Sequence, residues 1–260
     1  MKRFILSCLA AVAIFSVSAQ TDRPESIYKS LLKGIEYEIN AGFNIGGASP
    51  IPLPAEIRSI NSFHPTLSLS LGGVVTKWFA PEEVTRKWGV AVGLRFERRG
   101  METGATVKNY GMEIINNGDR LNGRWTGKVK TEYASQQLTI PVTAVFKINP
   151  RWKVNFGPYI AFVFDRKFSG EVSDGYLRAG DPTGTKWEFT DGKIATYDFD
   201  NEMRRFQWGL QAGASWRAFK RLTVNANLTW GLNDIFYSSF KTVTFNMYPI
   251  YLNLGFGYVF

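Results

Sequence analysis

The residues able to do chemistry are few. His64 is the only histidine, and Ser62 stands two positions before it. If that stretch is extended, both side chains leave the same face. A hydroxyl beside an imidazole base is the arrangement of nucleophilic acyl transfer, as in a lipid deacylase. The competing reading is a rim histidine entering a strand just before Pro65. Asp191, Asp198 and Asp200 offer oxygen ligands for calcium, but their spacing matches no defined calcium loop. Cys8 is the only cysteine and falls in an N-terminal leader, so disulfides, thiolate–metal sites and thiol catalysis are excluded. No glycine-rich phosphate loop, zinc-ligand spacing or nucleic-acid motif is present. The sequence predicts no enzyme, no cofactor, no metal site and no nucleic-acid partner.

The elements that position these residues alternate with a period of two. In residues 248–260, Tyr248, Ile250, Leu252, Leu254, Phe256, Tyr258 and Phe260 share one face. Pro249, Tyr251, Asn253, Gly255, Gly257 and Val259 share the other. That is a strand with two unlike faces, long enough to cross a membrane at a tilt. Comparable sets begin at Ile35, Leu67, Trp88, Leu138, Trp152, Phe206 and Leu222. The expected fold is all-β: an eight-stranded antiparallel up-and-down transmembrane β-barrel over residues 35–260.

Three features favour a membrane barrel over a lipocalin or a sandwich. The apolar sets carry almost no charge, as lipid contact requires. The opposite face is rich in Gly, Asn, Gln, Ser and Thr, which suit a narrow packed interior. The connections alternate: residues 80–86, 149–151 and 218–221 are short, and 48–63, 100–129, 169–202 and 236–246 are long. Short periplasmic turns with long outer loops, and both termini periplasmic, follow from that pattern. Pro65, Pro141, Pro158 and Pro249 then have to sit at bulges or strand ends. A bulge is also expected near Lys77 and Trp78, where the alternation breaks.

The leader supports export. Lys2 and Arg3 precede an apolar run from Phe4 to Val17, and Val17-Ser18-Ala19 is a small-residue cleavage site. Residues 1–19 read as a signal peptide. Residues 20–34 form an N-terminal periplasmic segment, in which Asp22, Pro24 and Glu25 predict a short helix. The chain carries a net charge of +9 and stays basic without Lys2 and Arg3, which suits lipid phosphates, including those of lipopolysaccharide.

The polar face places two charge groups in the expected interior. Glu36, Glu38, Lys147, Lys153 and Arg217 fall toward the short-turn end, and Arg95, Glu97 and Asp165 toward the long-loop end. We read them as compensating ion pairs that plug the interior, since an unpaired buried charge is costly. A narrow solute path is the alternative. Aromatic girdles are expected at both rims: Trp78, Trp88, Trp152, Trp216, Tyr258 and Phe260 at one, and Phe206, Trp208 and Tyr248 at the other. The two longest loops set Tyr110, Trp125, Trp187 and Tyr197 among charges, as a protein or glycan contact or as a solvated surface.

Leu138-Thr139-Ile140-Pro141-Val142 followed by Lys147, then Gly157-Pro158-Tyr159, resembles consecutive strands of the PorT-like outer-membrane β-barrel family. Gly209, Gln211, Ala212 and Gly213 resemble its Gly/Ala-rich strand. Residues 228–233 and 251–260 are similar to its last two strands. The resemblance covers residues 138–260. It implies insertion by the outer-membrane barrel assembly machinery, with the C-terminal aromatic residue as part of the recognition signal. Members of that family include a factor for type IX secretion and gliding. A non-enzymatic scaffold or assembly partner, with secretion-system proteins as partners, is the role the resemblance implies. A small-solute channel and a lipid-modifying enzyme are the alternatives.

Overall fold

A computed structural model describes residues 34–79, 85–116, 118–180 and 183–260. The expected signal peptide, and the N-terminal segment up to residue 33, lie outside the described residues. The strands are β1 (Ile35–Pro50), β2 (Ile57–Pro65), β3 (Ser68–Trp78), β4 (Lys87–Asn116), β5 (Asp119–Lys147), β6 (Trp152–Ala179), β7 (Lys186–Asp198), β8 (Phe206–Arg217), β9 (Leu222–Gly231) and β10 (Met247–Val259). A 3₁₀ turn at Asp200–Glu202 joins β7 to β8.

The eight-stranded up-and-down barrel is corrected by this topology. Ten strands share one antiparallel sheet, and its hydrogen-bonded ring does not close along the full height of the strands. Toward the short-turn end, pairing passes from β1 through β3, β4, β5, β6, β8 and β9 to β10, which pairs with β1. Beyond Asn44↔Ser68 the β1–β3 ladder stops. There β2 pairs with β4 alone, and β7 joins the half of β6 away from the short turns while touching β4 through the single pair Ile115↔Thr196. The two extra strands lie in expected long loops, β2 mostly in residues 48–63 and β7 in residues 169–202. Residues 100–129 and 169–202 are largely strand, because β4, β5 and β6 run unbroken for 28 to 30 residues.

Those strands change character partway along. On β4, Trp88, Val90, Val92, Leu94 and Phe96 stand exposed, while Arg95, Glu97 and Arg99 are buried. From Met101 onward the buried residues of the same strand are apolar: Met101, Val107, Met112 and Ile114. The wall is thus apolar outside and polar inside at one end, and apolar inside at the other. Trp125, Val129, Val172, Leu177, Phe189 and Met203 join this second core. Burying apolar surface in this way is the usual solution in water, whereas the inverted half suits an apolar surrounding. Asn109 and Asp174 take left-handed conformations at the shifts that keep the long strands in phase.

At the short-turn end, Asn149 Oδ1 accepts from the backbone N–H of Arg151 (2.9 Å) and of Trp152 (2.8 Å), so one side chain fixes the β5–β6 turn. Three expected bulges are corrected. Pro158 lies inside β6 and pairs in unbroken register with Leu210. Lys77 and Trp78 pair in unbroken register with Val90 and Gly89. Pro141 lies inside β5, at neither a bulge nor an end: the β4–β5 ladder lapses between Val92↔Val142 and Arg95↔Thr139, so no partner needs the missing N–H. Gly93 faces it, and a Cβ there would lie 3.0 Å from Pro141 Cγ.

Candidate functional site

The polar interior is organised in two charged layers. In the first, nearer the short turns, Lys153 Nζ donates to Glu36 Oε1 (3.1 Å) and Glu38 Oε2 (2.7 Å). Arg217 Nη2 donates to the other Glu36 oxygen at 3.1 Å. Thr223 and Asn225 complete the shell of Glu38 at 2.9 and 2.6 Å. β1 presents both carboxylates inward because Glu36 and Glu38 are two residues apart. Lys147 lines the same end beside them.

The second layer centres on Glu97. Its carboxylate accepts from Arg95 Nε (3.1 Å), Arg99 Nη2 (3.0 Å), Asn44 Nδ2 (3.1 Å), Gln137 Nε2 (3.0 Å) and Thr139 Oγ1 (2.6 Å). Glu97 and Arg99 are both 0 % exposed. Arg99 also donates to Thr229 Oγ1 across the interior at 3.1 Å, with its guanidinium 5.0 Å from the Tyr251 ring centre and 5.9 Å from that of Tyr159. A fully desolvated carboxylate is tolerable only with charge partners and hydrogen bonds on both oxygens, and this one has them.

Between the layers lies a cavity of about 70 Å³, lined on one part by Glu38, Arg95, Lys153, Gln211 and several asparagines and elsewhere by apolar residues such as Val74, Ala91 and Val145. It has room for a few water molecules. Beyond Glu97 the interior passes directly into the apolar core, through Tyr133, Tyr251 and Met101.

Two sequence assignments are corrected. Asp165 lies on the exposed face, where Gln136 donates to it at 3.0 Å; the register shift between Gln136 and Gln137 turns it outward. Trp78 is 6 % exposed and belongs to no girdle. It packs with Ala91 and Val145 inside, and Lys87 Nζ lies 5.4 Å from its ring centre. Arg99 is not among the expected interior charges, although Arg95, Glu97 and Arg99 keep a period of two, because Gly100 and the charges after it read as the start of a loop.

The other aromatic residues of the expected girdles stand on the outer face, except that Tyr248 is half-buried. Trp152 and Trp216 approach at 6.4 Å, Phe162 and Phe206 at 5.4 Å, and Tyr258 and Phe260 at 5.2 Å. Trp88 lies 4.7 Å from Phe146, and Trp208 is exposed two residues after Phe206.

Ser62 and His64 are on β2, with His64 exposed opposite Glu102. Among the described residues no group of three or more His, Cys, Asp or Glu is placed to hold a metal ion. Asp198 Oδ1 instead accepts from the Asp200 N–H at 2.9 Å, and Asp200 Oδ1 from the Phe168 N–H at 2.6 Å. These aspartates fix the chain after β7, and burial raises the Asp200 carboxyl above its ordinary pKa.

Residues 18–237 match the family model described as outer membrane protein beta-barrel domain. The chain belongs to this family. No curated protein matches it. Among solved structures it is similar to the attachment invasion locus protein Ail of Yersinia pestis, crystallised with the heparin analogue sucrose octasulfate, at 12% identity and a TM-score of 0.37, covering 87% of this chain and 99% of that one. OprG of Pseudomonas aeruginosa matches at 11% identity and a TM-score of 0.35, covering 86% and 95%. The outer membrane protease OmpT of Escherichia coli matches at 11% identity and a TM-score of 0.32, covering 88% and 97%.

Proposed function

We propose that this outer-membrane protein is a non-enzymatic scaffold or assembly partner of the PorT-like kind, serving a secretion or gliding apparatus. The observation that supports this reading is the built unit at the long-hairpin end. Strands β4 to β7 carry an apolar core there, completed by Ala48, Phe236, Met247 and Tyr251 from neighbouring elements, instead of ending in solvated loops. A rigid platform is what a docking partner needs, because little ordering entropy is lost on contact.

In this reading the exposed apolar faces of the other end lie in the lipid, the chain ends are periplasmic and the hairpin unit points outward. Phe260 serves the barrel assembly machinery, and exposed Arg120 and Lys128, paired with Glu113 and Asp174, offer positive charge to lipopolysaccharide phosphates. The second charged layer, with Glu97 and Arg99 wholly buried, speaks for a plug over a solute path.

Affinity purification of the tagged chain from native outer membranes tests the role. Secretion-system proteins should co-purify with wild type and be lost when the hairpin tip around Gly118 is replaced by a short turn. Recovery of the chain with no stable partner would count against a scaffold.

A further inference from the structure

The place where the wall parts is built to hold something. The β1–β3 ladder ends at Asn44↔Ser68; β1 continues against β10 as far as Pro50↔Met247, while β2 pairs only with β4. Among the described residues β1 and β2 do not pair, so a split opens between them.

The β2 sequence is adapted to that split. Its register shifts twice, between Ile57 and Ser59 and again between Ile60 and Ser62. Residues three apart therefore share a face. Ile57, Ile60 and Phe63 stand opposite Val107, Ala105 and Thr103, which is the inward side of β4. They face inward, yet Ile60 is 56 % and Phe63 50 % exposed. An inward apolar face is left uncovered beside a well-packed core, which is unusual unless something covers it.

Behind it lies an apolar cavity of about 100 Å³, reaching Met101, Val129, Phe168, Phe245 and Met247. No charged side chain lines it; its polar groups are hydroxyls such as those of Ser49, Thr103 and Thr131. On the β1 side a Cβ added to Gly47 would lie 2.5 Å from Met101 Sδ and 3.1 Å from Phe63 Cε2. Phe63 thus bridges the split to a glycine that alone leaves it room, and Met101 is an adaptable thioether at the back.

We propose that this pocket takes the tail end of one acyl chain of an outer-leaflet lipid, inserted sideways between β1 and β2. The uncharged lining rejects carboxylate, phosphate and sugar, so any headgroup stays outside. At about 100 Å³ the cavity is too small for a drug-sized body. Leu67, just after β2, and Leu69 and Leu71 on β3 are exposed, so the apolar belt begins within a few residues of the mouth and puts lipid chains near it. The inference rests on the reading that this belt lies in lipid.

The test uses the full-length chain in lipid nanodiscs doped with a photoactivatable diazirine phospholipid, with adducts mapped by peptide mass spectrometry. Wild type should give adducts on two regions: the belt around Leu69 and Leu71, and the pocket residues Ile60, Met101 and Ala105. Ala105→Trp, which fills the cavity, and Ile60→Glu, which charges the mouth without entering the core, should each reduce pocket adducts at least fivefold and leave belt adducts unchanged. Ile60→Glu keeps the test open if the larger side chain disturbs folding. Belt adducts without pocket adducts in wild type would overturn the acyl-chain proposal. Absence of belt adducts would instead overturn the membrane reading beneath it. Pocket adducts that persist at full yield in both variants would also overturn the proposal, since the label would then not depend on the cavity.

Discussion

Arg99 Nη2 lies 3.0 Å from Glu97 Oε1, with both side chains fully buried in the interior of the sheet. The pair joins two residues of one strand, and Arg99 then crosses to Thr229 on β9. It marks the level at which the interior changes from polar to apolar. Glu97→Ala would leave two guanidiniums, of Arg95 and Arg99, with no carboxylate between them. Removing one partner of a buried ion pair costs roughly 3–5 kcal/mol. We expect the unfolding temperature on semi-native gels to fall sharply, and further than for any substitution in the first charged layer. A Glu97→Ala protein as heat-resistant as wild type would remove this layer from the stability argument.

Glu38→Ala should have a smaller effect. Lys153 would keep Glu36 as a partner at 3.1 Å, while Thr223 and Asn225 would each lose an acceptor. A loss of about 1–3 kcal/mol is expected from the unmet hydrogen bonds. Urea titration followed by tryptophan fluorescence would check both the sign and the order relative to Glu97→Ala.

Trp78 and Trp216 belong to the same end of the sheet but face opposite ways, one buried and one exposed. Trp78→Ala empties an interior site packed by Ala91 and Val145, a change that typically costs about 3–5 kcal/mol. Trp216→Ala removes surface at the outer face and should cost much less. Equal losses would contradict the inward placement of Trp78.

Gly93→Val tests the fit against Pro141. Even the first added carbon would meet Pro141 Cγ at 3.0 Å, and the β4–β5 ladder is already interrupted there. Overpacking of this kind costs roughly 1–3 kcal/mol. Adding Pro141→Ala should restore part of the loss, and a double variant no better than the single one would show that the two do not press on each other.

Asp234, in the segment between β9 and β10, accepts from the N–H of Met247 at 2.9 Å and of Phe236 at 3.3 Å. Burial raises its carboxyl above the ordinary value of 3.8, against the lowering effect of those bonds. The folded state therefore holds the proton to a higher pH than the unfolded chain does. The favourable contribution is full below 3.8 and is lost as pH rises through the raised folded value. Asp234→Asn keeps an acceptor oxygen and removes the charge. At neutral pH it should unfold at the same or a higher temperature than wild type, and the difference should shrink as pH falls into the carboxylate range. A variant clearly less stable than wild type at neutral pH would mean that the ionised form is the favoured one.

Much of this protein is set by its sequence alone. The period-two sets of residues 88–96, 206–216 and 248–260 name the exposed apolar faces, because a strand sends alternate side chains to opposite sides whatever it later pairs with. The same rule put Glu36, Glu38, Lys153 and Arg217 on one inner face, and the outer-membrane family is consistent with that pattern. What the periodicity does not carry is which side of a strand is wet at each height. Residues 100–129 look like a charged loop, yet Met101, Val107, Met112, Ile114 and Trp125 are buried there. The wall swaps its polarity near Gly100 without changing strand phase, and only the facing strands reveal it. Register shifts have the same standing: one extra residue turned Asp165 outward, and two of them gathered Ile57, Ile60 and Phe63 on one side. The parting of β1 from β2 was decided by pairing across residues far apart in the chain, where local pattern has no say.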